Sequence, residues 1–283
     1  MKACPSVVQR GYATACSQPT GELISRILRI AGGVVLILGA AAFLRPLPAQ
    51  QPTPAFGPGE RLRYEVEWRL IPAGHAELWL DADATPGFWK ATVRANSTGY
   101  VSNLYKVEDE YASTFSGRSF CSLGIRKTIH EGDRHREVDV QFDPFRRLGL
   151  LRERDTAGAA PPRQEQFPIP ECVHDILSAF HYVRSLPLAI GESFEFPLND
   201  GVRTLSIRIE VQALEEVPTD LGTFEAYRVE PDVFAGQLFQ QKGRLFVWLS
   251  NDEQRIPVQL RAQIGIGTIV ASLAGIEREG SSQ

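Results

Sequence analysis

The sequence predicts a mainly β protein, a large antiparallel open barrel or β-roll with one central helix packed against it. Three observations lead to this fold class. Apolar and polar residues alternate with period two over most of the chain beyond residue 59, which is typical of half-buried strands. Turn signals rich in Gly, Pro and Asp-Gly separate these stretches. Beyond the N-terminal region, only residues 172–184 show convincing helical periodicity.

The N-terminal region, residues 1–49, is predicted to be a signal peptide. Arg26 and Arg29 precede an unbroken apolar run at 30–44, and Ala49 offers a small residue after it. The run is shorter than the roughly 20 residues that a bilayer-spanning helix needs. An uncleaved signal-anchor is the alternative, and it would be the only expected attachment to a membrane. Both alternatives predict an exported protein of the periplasm or outer cell envelope.

The rest of the chain is expected to form three parts. They are a Pro-rich linker at 50–58, a single β-rich domain at 59–276 and a polar tail at 277–283. The formal net charge is −4, and the N-terminal region carries more basic than acidic residues, so the remainder is more acidic still. Phosphate backbones repel such a surface, and nucleic acid is therefore excluded as an expected partner.

The first run of strands begins with the most regular alternation in the chain. Residues 61–70 are expected to place one apolar face inward, formed by Leu62, Tyr64, Val66, Trp68 and Leu70. A turn at 72–74 leads to a second strand that carries Ala76, Leu78 and Leu80 inward. Further strands are predicted at 89–95, 106–115, 121–131, 136–142 and 148–154. Residues 99–104 suggest a short helical turn, 132–133 a tight hairpin and 156–162 a loop.

The predicted helix at 172–184 is expected to be the crossover between two runs of strands. Four apolar residues recur at helical spacing on one stripe: Ile176, Ala179, Phe180 and Val183. Pro168 and Pro170 precede the segment and Pro187 ends it. The second run of strands is predicted at 191–198, 205–213, 223–229, 244–250, 256–264 and 268–273, with Asp200-Gly201 as a strong hairpin signal.

Two cysteines lie in the predicted domain, Cys121 and Cys172. In an oxidising compartment a lone pair of cysteines usually forms a disulfide, which here would join the start of the helix to a strand. The chain contains no Cys-x-x-Cys motif, so the sequence does not support a redox site.

The helix carries polar residues that could suggest a catalytic triad, namely His174, Asp175 and Ser178. Neighbouring residues point about 100° apart around a helix, so Asp175 is not expected to orient the His174 ring, and Ser178 lies on no nucleophile elbow. We therefore predict no catalytic residue. Asp175, Ser178 and Arg184 are instead expected to be structural and to fix the helix against the sheet.

A metal site would need His, Asp or Glu at ligand spacing, and His130 and His135 come closest because they flank the predicted hairpin. Two histidines at a hairpin tip are usually solvated side chains, so neither a metal nor a cofactor is predicted.

The aromatic residues are the remaining indication of function. Trp68, Phe246 and Trp248 lie on alternating strands, where core packing also explains them, and Phe180 lies on the apolar stripe of the helix. Trp79 lies opposite Leu78 and Leu80 on a polar face. A half-barrel that holds an apolar ligand would use residues of this type, so we predict these five as ligand-binding residues.

Three stretches of the chain, 56–64, 175–188 and 247–258, together resemble a bacterial exported family known only as domain of unknown function 3108. The resemblance covers roughly residues 56–273. It implies a β-rich domain of the periplasm or cell envelope, without an established activity. The family usually has Tyr near the helix centre, where this chain has His181. A looser likeness, of architecture only, is to the LolA/LolB-type lipoprotein carriers, whose curved open barrel is covered by helix.

Three functions follow as hypotheses. The first is a non-enzymatic envelope protein that binds a lipid or another apolar ligand. The alternative is a structural or assembly module that pairs with another envelope protein through an exposed strand or Trp79. The third is a hydrolase or metal-dependent enzyme centred on His174 or on His130 and His135.

Overall fold

The computed structural model describes residues 54–158, 161–233 and 243–278. The predicted signal peptide, most of the predicted tail and residues 50–53 of the predicted linker lie outside the described residues. Neither helix in these three ranges is long and apolar enough to cross a bilayer.

The described chain forms a single antiparallel sheet of fourteen strands. The strands are β1 (Glu60–Trp68), β2 (Ile71–Ala82), β3 (Phe88–Ser97), β4 (Glu108–Ser116), β5 (Ser122–Glu131), β6 (Arg134–Asp143), β7 (Leu148–Asp155), β8 (Arg163–Pro168), β9 (Ser193–Asn199), β10 (Thr204–Thr219), β11 (Gly222–Pro231), β12 (Gly243–Ser250), β13 (Pro257–Ile264) and β14 (Gly267–Arg278). Their spatial order runs from β8 back to β1, crosses to β14 and returns to β9. The sheet is not closed, because β8 and β9 are its two edges. The predicted fold class, an open antiparallel barrel, is confirmed.

Alternation in the sequence accounts for most strands. In β1, Leu62 and Tyr64 are buried while Arg63 and Glu65 are exposed, as expected for a strand with one face in the core. The predicted hairpin between β5 and β6 is also present, and Gly132 supplies the left-handed φ of 54° that this tight turn needs.

One strand, β8, was not predicted. Its sequence is mostly polar, and Phe167 is its only buried residue, so no alternation marks it. It forms because β7 offers a free edge, with which Arg163 to Pro168 pair in register.

Within the described ranges two helices interrupt the strands, α1 (Gly99–Leu104) and α2 (Ile176–Arg184). Helix α1 lies where a short helical turn was predicted. Helix α2 begins later than the predicted position 172, because the three residues before the N-cap Asp175 are not helical. The backbone of His174 pairs there with that of Leu198, and the carbonyl of Val173 accepts a hydrogen bond from Ser122 N. As predicted, α2 is the crossover between the two runs of strands.

The core surrounds α2 on both sides. Leu177 packs into an apolar cluster with residues of β2 to β8, including Phe115 and Val140. Ala179 packs into a second cluster formed by β9 to β12, including Ile209 and Leu249. Helix α2 therefore joins the two runs of strands through its own side chains.

A disulfide joins Cys121, just before β5, to Cys172, with Cα atoms 5.1 Å apart. This is the pair that the sequence predicts. Together with the hydrogen bond from Ser122 N to Val173 O, it fixes the segment that leads into α2.

Candidate functional site

An apolar cavity of about 300 Å³ lies between α2 and the inner face of the sheet. The helix contributes the stripe that the sequence predicts, since the cavity is lined by Ile176, Ala179, Phe180 and Val183, together with Leu177. Residues at these spacings share one side of a helix, so a single face of α2 forms one wall.

The opposite wall consists of alternate residues from neighbouring strands. On β12 it is formed by Leu245, Val247 and Leu249, whose side chains share one face because side chains alternate along a strand. Equivalent positions on β9, β10 and β11 add Phe196, Leu198, Ile207, Ile209 and Val229. The wall is therefore aliphatic and aromatic across several strands.

Two lining residues, Tyr64 and Glu77, carry polar groups. The Tyr64 hydroxyl donates a hydrogen bond to the carbonyl of Pro257 at 2.9 Å. Burial raises the pKa of Tyr64, and the Arg184 guanidinium only partly opposes this effect, so the phenol is neutral. Glu77 stands between Ala76 and Leu78, which face the cavity, so its carboxylate points to the other face of the sheet. The cavity is thus suited to a ligand without charge on the buried part.

The inner face becomes more exposed toward the β1–β2 and β13–β14 turns. Tyr64 and Leu273, which pair across β1 and β14, are buried. The next two pairs on this face are half-buried, Val66 with Ala271 and Trp68 with Ile269. Ala271 lines the cavity, so the half-buried part of the inner face begins at the cavity wall. The inner face therefore opens to solvent between these two turns, which we call the open end.

Arg184, the last residue of α2, anchors the helix at the end of the sheet that lies opposite the open end. Its guanidinium forms a buried ion pair with Glu60, the first residue of β1, and donates to the carbonyl oxygens of Gln254 and Arg255 in the β12–β13 turn. It also lies 4.0 Å from the centre of the Phe56 ring, a cation–π contact. The three stretches that carried the family resemblance therefore meet at one side chain.

The other end of α2 is held by Asp175, its N-cap. The carboxylate accepts hydrogen bonds from the backbone N–H groups of Leu177 and Ser178, at 2.8 and 3.1 Å. It also accepts from the hydroxyls of Ser113 on β4 and Ser122 on β5, both at 2.5 Å. Ser178 completes a capping box by accepting from the backbone N–H of Asp175. Asp175 thus fixes the start of α2 to two strands at once.

Sequence reasoning did not identify Lys127, which lies on β5. Burial lowers the pKa of its ammonium group, against the opposing effects of Asp175 and Asp200. The ammonium lies 5.8 Å from the centre of the Tyr111 ring, whose pKa burial raises to about 12. A single lysine in an alternating strand gives no sequence signal of such an environment.

The two histidines of the helical segment have separate partners. His174 Nδ1 lies 2.9 Å from the carbonyl of Phe120, and its ring stacks on Tyr182. The Ser178 hydroxyl donates to the carbonyl of Asp175 rather than to His174. His181 Nδ1 accepts from Arg184 Nη1 at 3.3 Å, because a guanidinium can only donate. These contacts do not assemble the serine–histidine arrangement of a hydrolase.

The rings of His130 and His135 lie 4.9 Å apart across the β5–β6 hairpin. Within the described ranges no group of three or more His, Cys, Asp or Glu side chains could hold a metal ion.

The five aromatic residues predicted to bind a ligand do not share one site. Phe180 lines the cavity, and Trp68 lies on the inner face at the open end, where its Nε1 donates to the carbonyl of Ile266. Phe246 and Trp248 alternate with the lining residues of β12 and therefore face away from the cavity. Trp79 also lies on the outer face, beneath the Arg94 guanidinium.

The outer-face placement of Phe246 and Trp248 corrects the expectation that they line the same concavity. Arg244 lies over the Phe246 ring at 4.6 Å, and Arg261 lies over the Trp248 ring at 5.0 Å. Trp248 Nε1 donates to Glu215. The two arginines cover both rings, so Phe246 and Trp248 are packed beneath charged side chains.

Fold and site together define an open, β-barrel-like protein with a helix-covered apolar cavity. A family model described as protein of unknown function (DUF3108) matches residues 63–274, and the chain belongs to this family. No curated protein sequence matches the chain.

Two solved structures match most of the chain. One is a β-barrel-like protein of domain of unknown function 1849 from Brucella abortus, at 9% identity and a TM-score of 0.55, covering 78% of this chain and 98% of that one. The other is a candidate lipoprotein from Parabacteroides distasonis, at 9% identity and a TM-score of 0.36, covering 80% of this chain and all (100%) of that one. At such identities the first likeness concerns the fold alone.

Proposed function

We propose that this protein is an exported, non-enzymatic binder of an apolar ligand and that it holds an acyl chain in the cavity beneath α2. The observation that carries the proposal is the cavity itself, which is bounded by the apolar face of α2 and by alternate residues of several strands. A sheet that simply packed on its helix would fill this space with side chains.

The chemistry of the walls selects the class of ligand. A polar group buried there without a hydrogen-bond partner would cost a few kcal/mol, whereas each buried methylene contributes about 0.8 kcal/mol. The volume of about 300 Å³ is at the lower limit of typical ligand pockets, roughly 300 to 1,000 Å³. A single slender chain fits this description better than a bulky lipid, and its polar head would remain at the open end.

Export is supported by the sequence of the N-terminal region and by the disulfide between Cys121 and Cys172. Disulfides persist in oxidising compartments such as the bacterial periplasm and are rare in the cytosol. A carrier of acyl chains has a role there because such chains must cross water between membranes.

The proposal is tested by ligand extraction and by titration with a fluorescent fatty acid. Ala271→Phe would fill the cavity from its half-buried wall on β14. Ala112→Phe is the matched control, since Ala112 is also half-buried but faces outward, next to the inward Ser113. We expect lipid to be extracted from the unmodified protein and Ala112→Phe, and probe affinity to fall about tenfold or more in Ala271→Phe.

Circular dichroism would first establish that both variants are folded. The proposal is wrong if the unmodified protein yields no lipid and binds no probe, or if both phenylalanine variants bind the probe equally well.

A further inference from the structure

Exposed apolar side chains are concentrated at the open end of the sheet. Ten large hydrophobic residues in the described ranges are exposed, and six of them lie at this end. These six, which we call the apolar rim, are Leu70, Ile71, Tyr100, Leu104, Tyr105 and Ile266. The other four lie on turns or strand starts elsewhere. A concentration of this kind marks an interaction surface, whereas scattered apolar residues do not.

The rim is one surface because three separate turns are bonded together. Leu70 and Ile71 come from the β1–β2 connection, and Ile266 comes from the β13–β14 turn. Trp68 Nε1 donates to the carbonyl of Ile266 at 3.0 Å, which links these two turns. The backbone N–H of Thr98 donates to the carbonyl of Ala73, which holds α1 and its two exposed tyrosines beside β2.

The β1–β2 turn is strained in a way that exposes Leu70. Trp68 pairs with Ile71, so Arg69 and Leu70 form a two-residue turn, and both have left-handed φ values, 51° and 66°. Such turns favour Asn-Gly, and a branched residue like Leu is disfavoured there. Leu70 is nevertheless 85% exposed at the tip. Backbone strain that displays an apolar side chain to solvent indicates a functional constraint on this turn.

We propose that the apolar rim docks onto the surface of a lipid bilayer. The inference rests on the proposed function, and it names the membrane as the place where the ligand enters and leaves. Because the rim borders the open end, a docked protein would let an acyl chain pass between bilayer and cavity without crossing water. Tyrosine and tryptophan, which combine an apolar ring with a polar group, are the residues favoured at membrane interfaces.

The charges beside the rim favour a neutral membrane surface. Lys106 pairs with Glu108 at 2.8 Å, and Arg134 pairs with Glu131 at 3.7 Å, so these groups largely neutralise each other. Arg69, in the same turn as Leu70, lies over the Trp68 ring and adds one positive charge. Docking should therefore depend mainly on apolar insertion, with little gain from anionic lipids. A protein partner that docks by adding a strand would use the free edges of the sheet, β8 and β9, whereas the rim lies on turns that connect inner strands.

The test is flotation of the disulfide-bonded protein with phosphatidylcholine vesicles. Leu70→Asn/Leu104→Gln removes two rim side chains, and Asn tolerates the left-handed φ at position 70, so folding is preserved. Phe145→Asn is the control, since Phe145 is 99% exposed in the β6–β7 turn, away from the rim. We expect the unmodified protein and Phe145→Asn to float in low and high salt, and vesicle affinity to fall about tenfold or more in the rim variant.

Quenching by brominated lipid gives a second measurement. Trp68 should be quenched by such vesicles, and Trp68→Phe should remove most of the quenching.

The proposal is overturned if the unmodified protein does not float, if the rim variant floats equally well, or if sedimentation shows that the rim only joins two copies of the chain. Binding of a soluble fatty-acid probe by the rim variant separates the two proposals, because the cavity is untouched. Probe binding without flotation of the unmodified protein would reject docking alone, and absence of probe binding would reject the cavity function.

Discussion

Arg184 at the end of α2 and Glu60 at the start of β1 form a bidentate ion pair with both side chains buried. Nη1 lies 2.7 Å from Oε1, and Nη2 lies 3.0 Å from Oε2. The same guanidinium donates to two carbonyl oxygens of the β12–β13 turn. Through these bonds Arg184 joins the helix to two distant parts of the sheet, and it fixes the position of α2, which forms one wall of the cavity.

Removal of one partner of this pair should strongly destabilise the fold. Arg184→Met would leave the Glu60 carboxylate buried without its bidentate partner, while Arg278 Nη2 stays 3.5 Å from Oε2. We expect the free energy of unfolding to fall by about 3–5 kcal/mol. In the exposed pair of Arg154 and Glu137, Arg154→Met should cost less than about 1 kcal/mol. Urea denaturation measures both, and equal losses would contradict a special role for the buried pair.

Loss of the disulfide should lower the free energy of unfolding by an amount that depends on the length of the chain segment between the two cysteines. Cys121 and Cys172 are separated by 51 positions, for which chain entropy predicts about 4 kcal/mol. Cys121→Ser/Cys172→Ser should therefore unfold at lower denaturant concentration than the oxidised protein. The reduced native sequence serves as the control, because it should behave like the double variant. Unchanged stability of both would show that the bond constrains little.

The cap at Asp175 should matter more than an ordinary helix cap. Asp175→Ala removes the acceptor for two backbone N–H groups and for the Ser113 and Ser122 hydroxyls. A cap contributes about 1 kcal/mol, and each of the two buried hydroxyls left unpaired costs about 1–3 kcal/mol, so we expect a loss of roughly 3–7 kcal/mol.

Ser178→Ala is the matched variant for this prediction. It removes only the reciprocal half of the capping box and should cost about 1 kcal/mol. Thermal and urea unfolding of the two variants test the difference. If Asp175→Ala lost no more than Ser178→Ala, the bonds to β4 and β5 would contribute nothing to stability.

Local pattern in the sequence predicts most strands and the stripe of α2, because period two and period 3.6 follow from backbone geometry. It does not predict which face of a strand is inward when both are apolar. In β12, Phe246 and Trp248 alternate with Leu245 and Val247, and all four are apolar. The choice between the faces depends on the curl of the whole sheet and on the arginines that cover the outer rings.

Long-range polar contacts cannot be predicted from local sequence pattern either, for a different reason. Glu60 and Arg184 are 124 positions apart, and Asp175 is bonded to serines of two earlier strands. Such partners come together only in the folded protein, and no spacing in the sequence indicates them. Arg184 and Asp175 could be predicted as structural, but not their partners. The cavity likewise depends on how closely the helix approaches the sheet.

The buried ring of His181 should make stability fall in mild acid. His181 is fully buried between Phe56 and Phe115, and its Nε2 has no hydrogen-bond partner within the described ranges. Burial, aided by the Arg184 guanidinium, holds the pKa of His181 well below its usual value of 6.5. In the unfolded chain the ring takes up a proton below about pH 6.5, whereas the folded ring stays neutral. The folded state is therefore unaffected at pH 8 and loses up to about 1.4 kcal/mol per pH unit below pH 6.5.

His181→Phe isolates this effect, because the variant keeps an aromatic ring and has no group to protonate. Burial also lowers the pKa of His174, but His174 is present in both proteins and its contribution cancels in the comparison. We expect the free energy of unfolding of the unmodified protein to fall relative to that of the variant by about 2 kcal/mol between pH 6.5 and 5. Above pH 7 the difference should be constant. Urea denaturation across this range measures it, and parallel pH profiles would mean that the folded protein accommodates a charged ring at position 181.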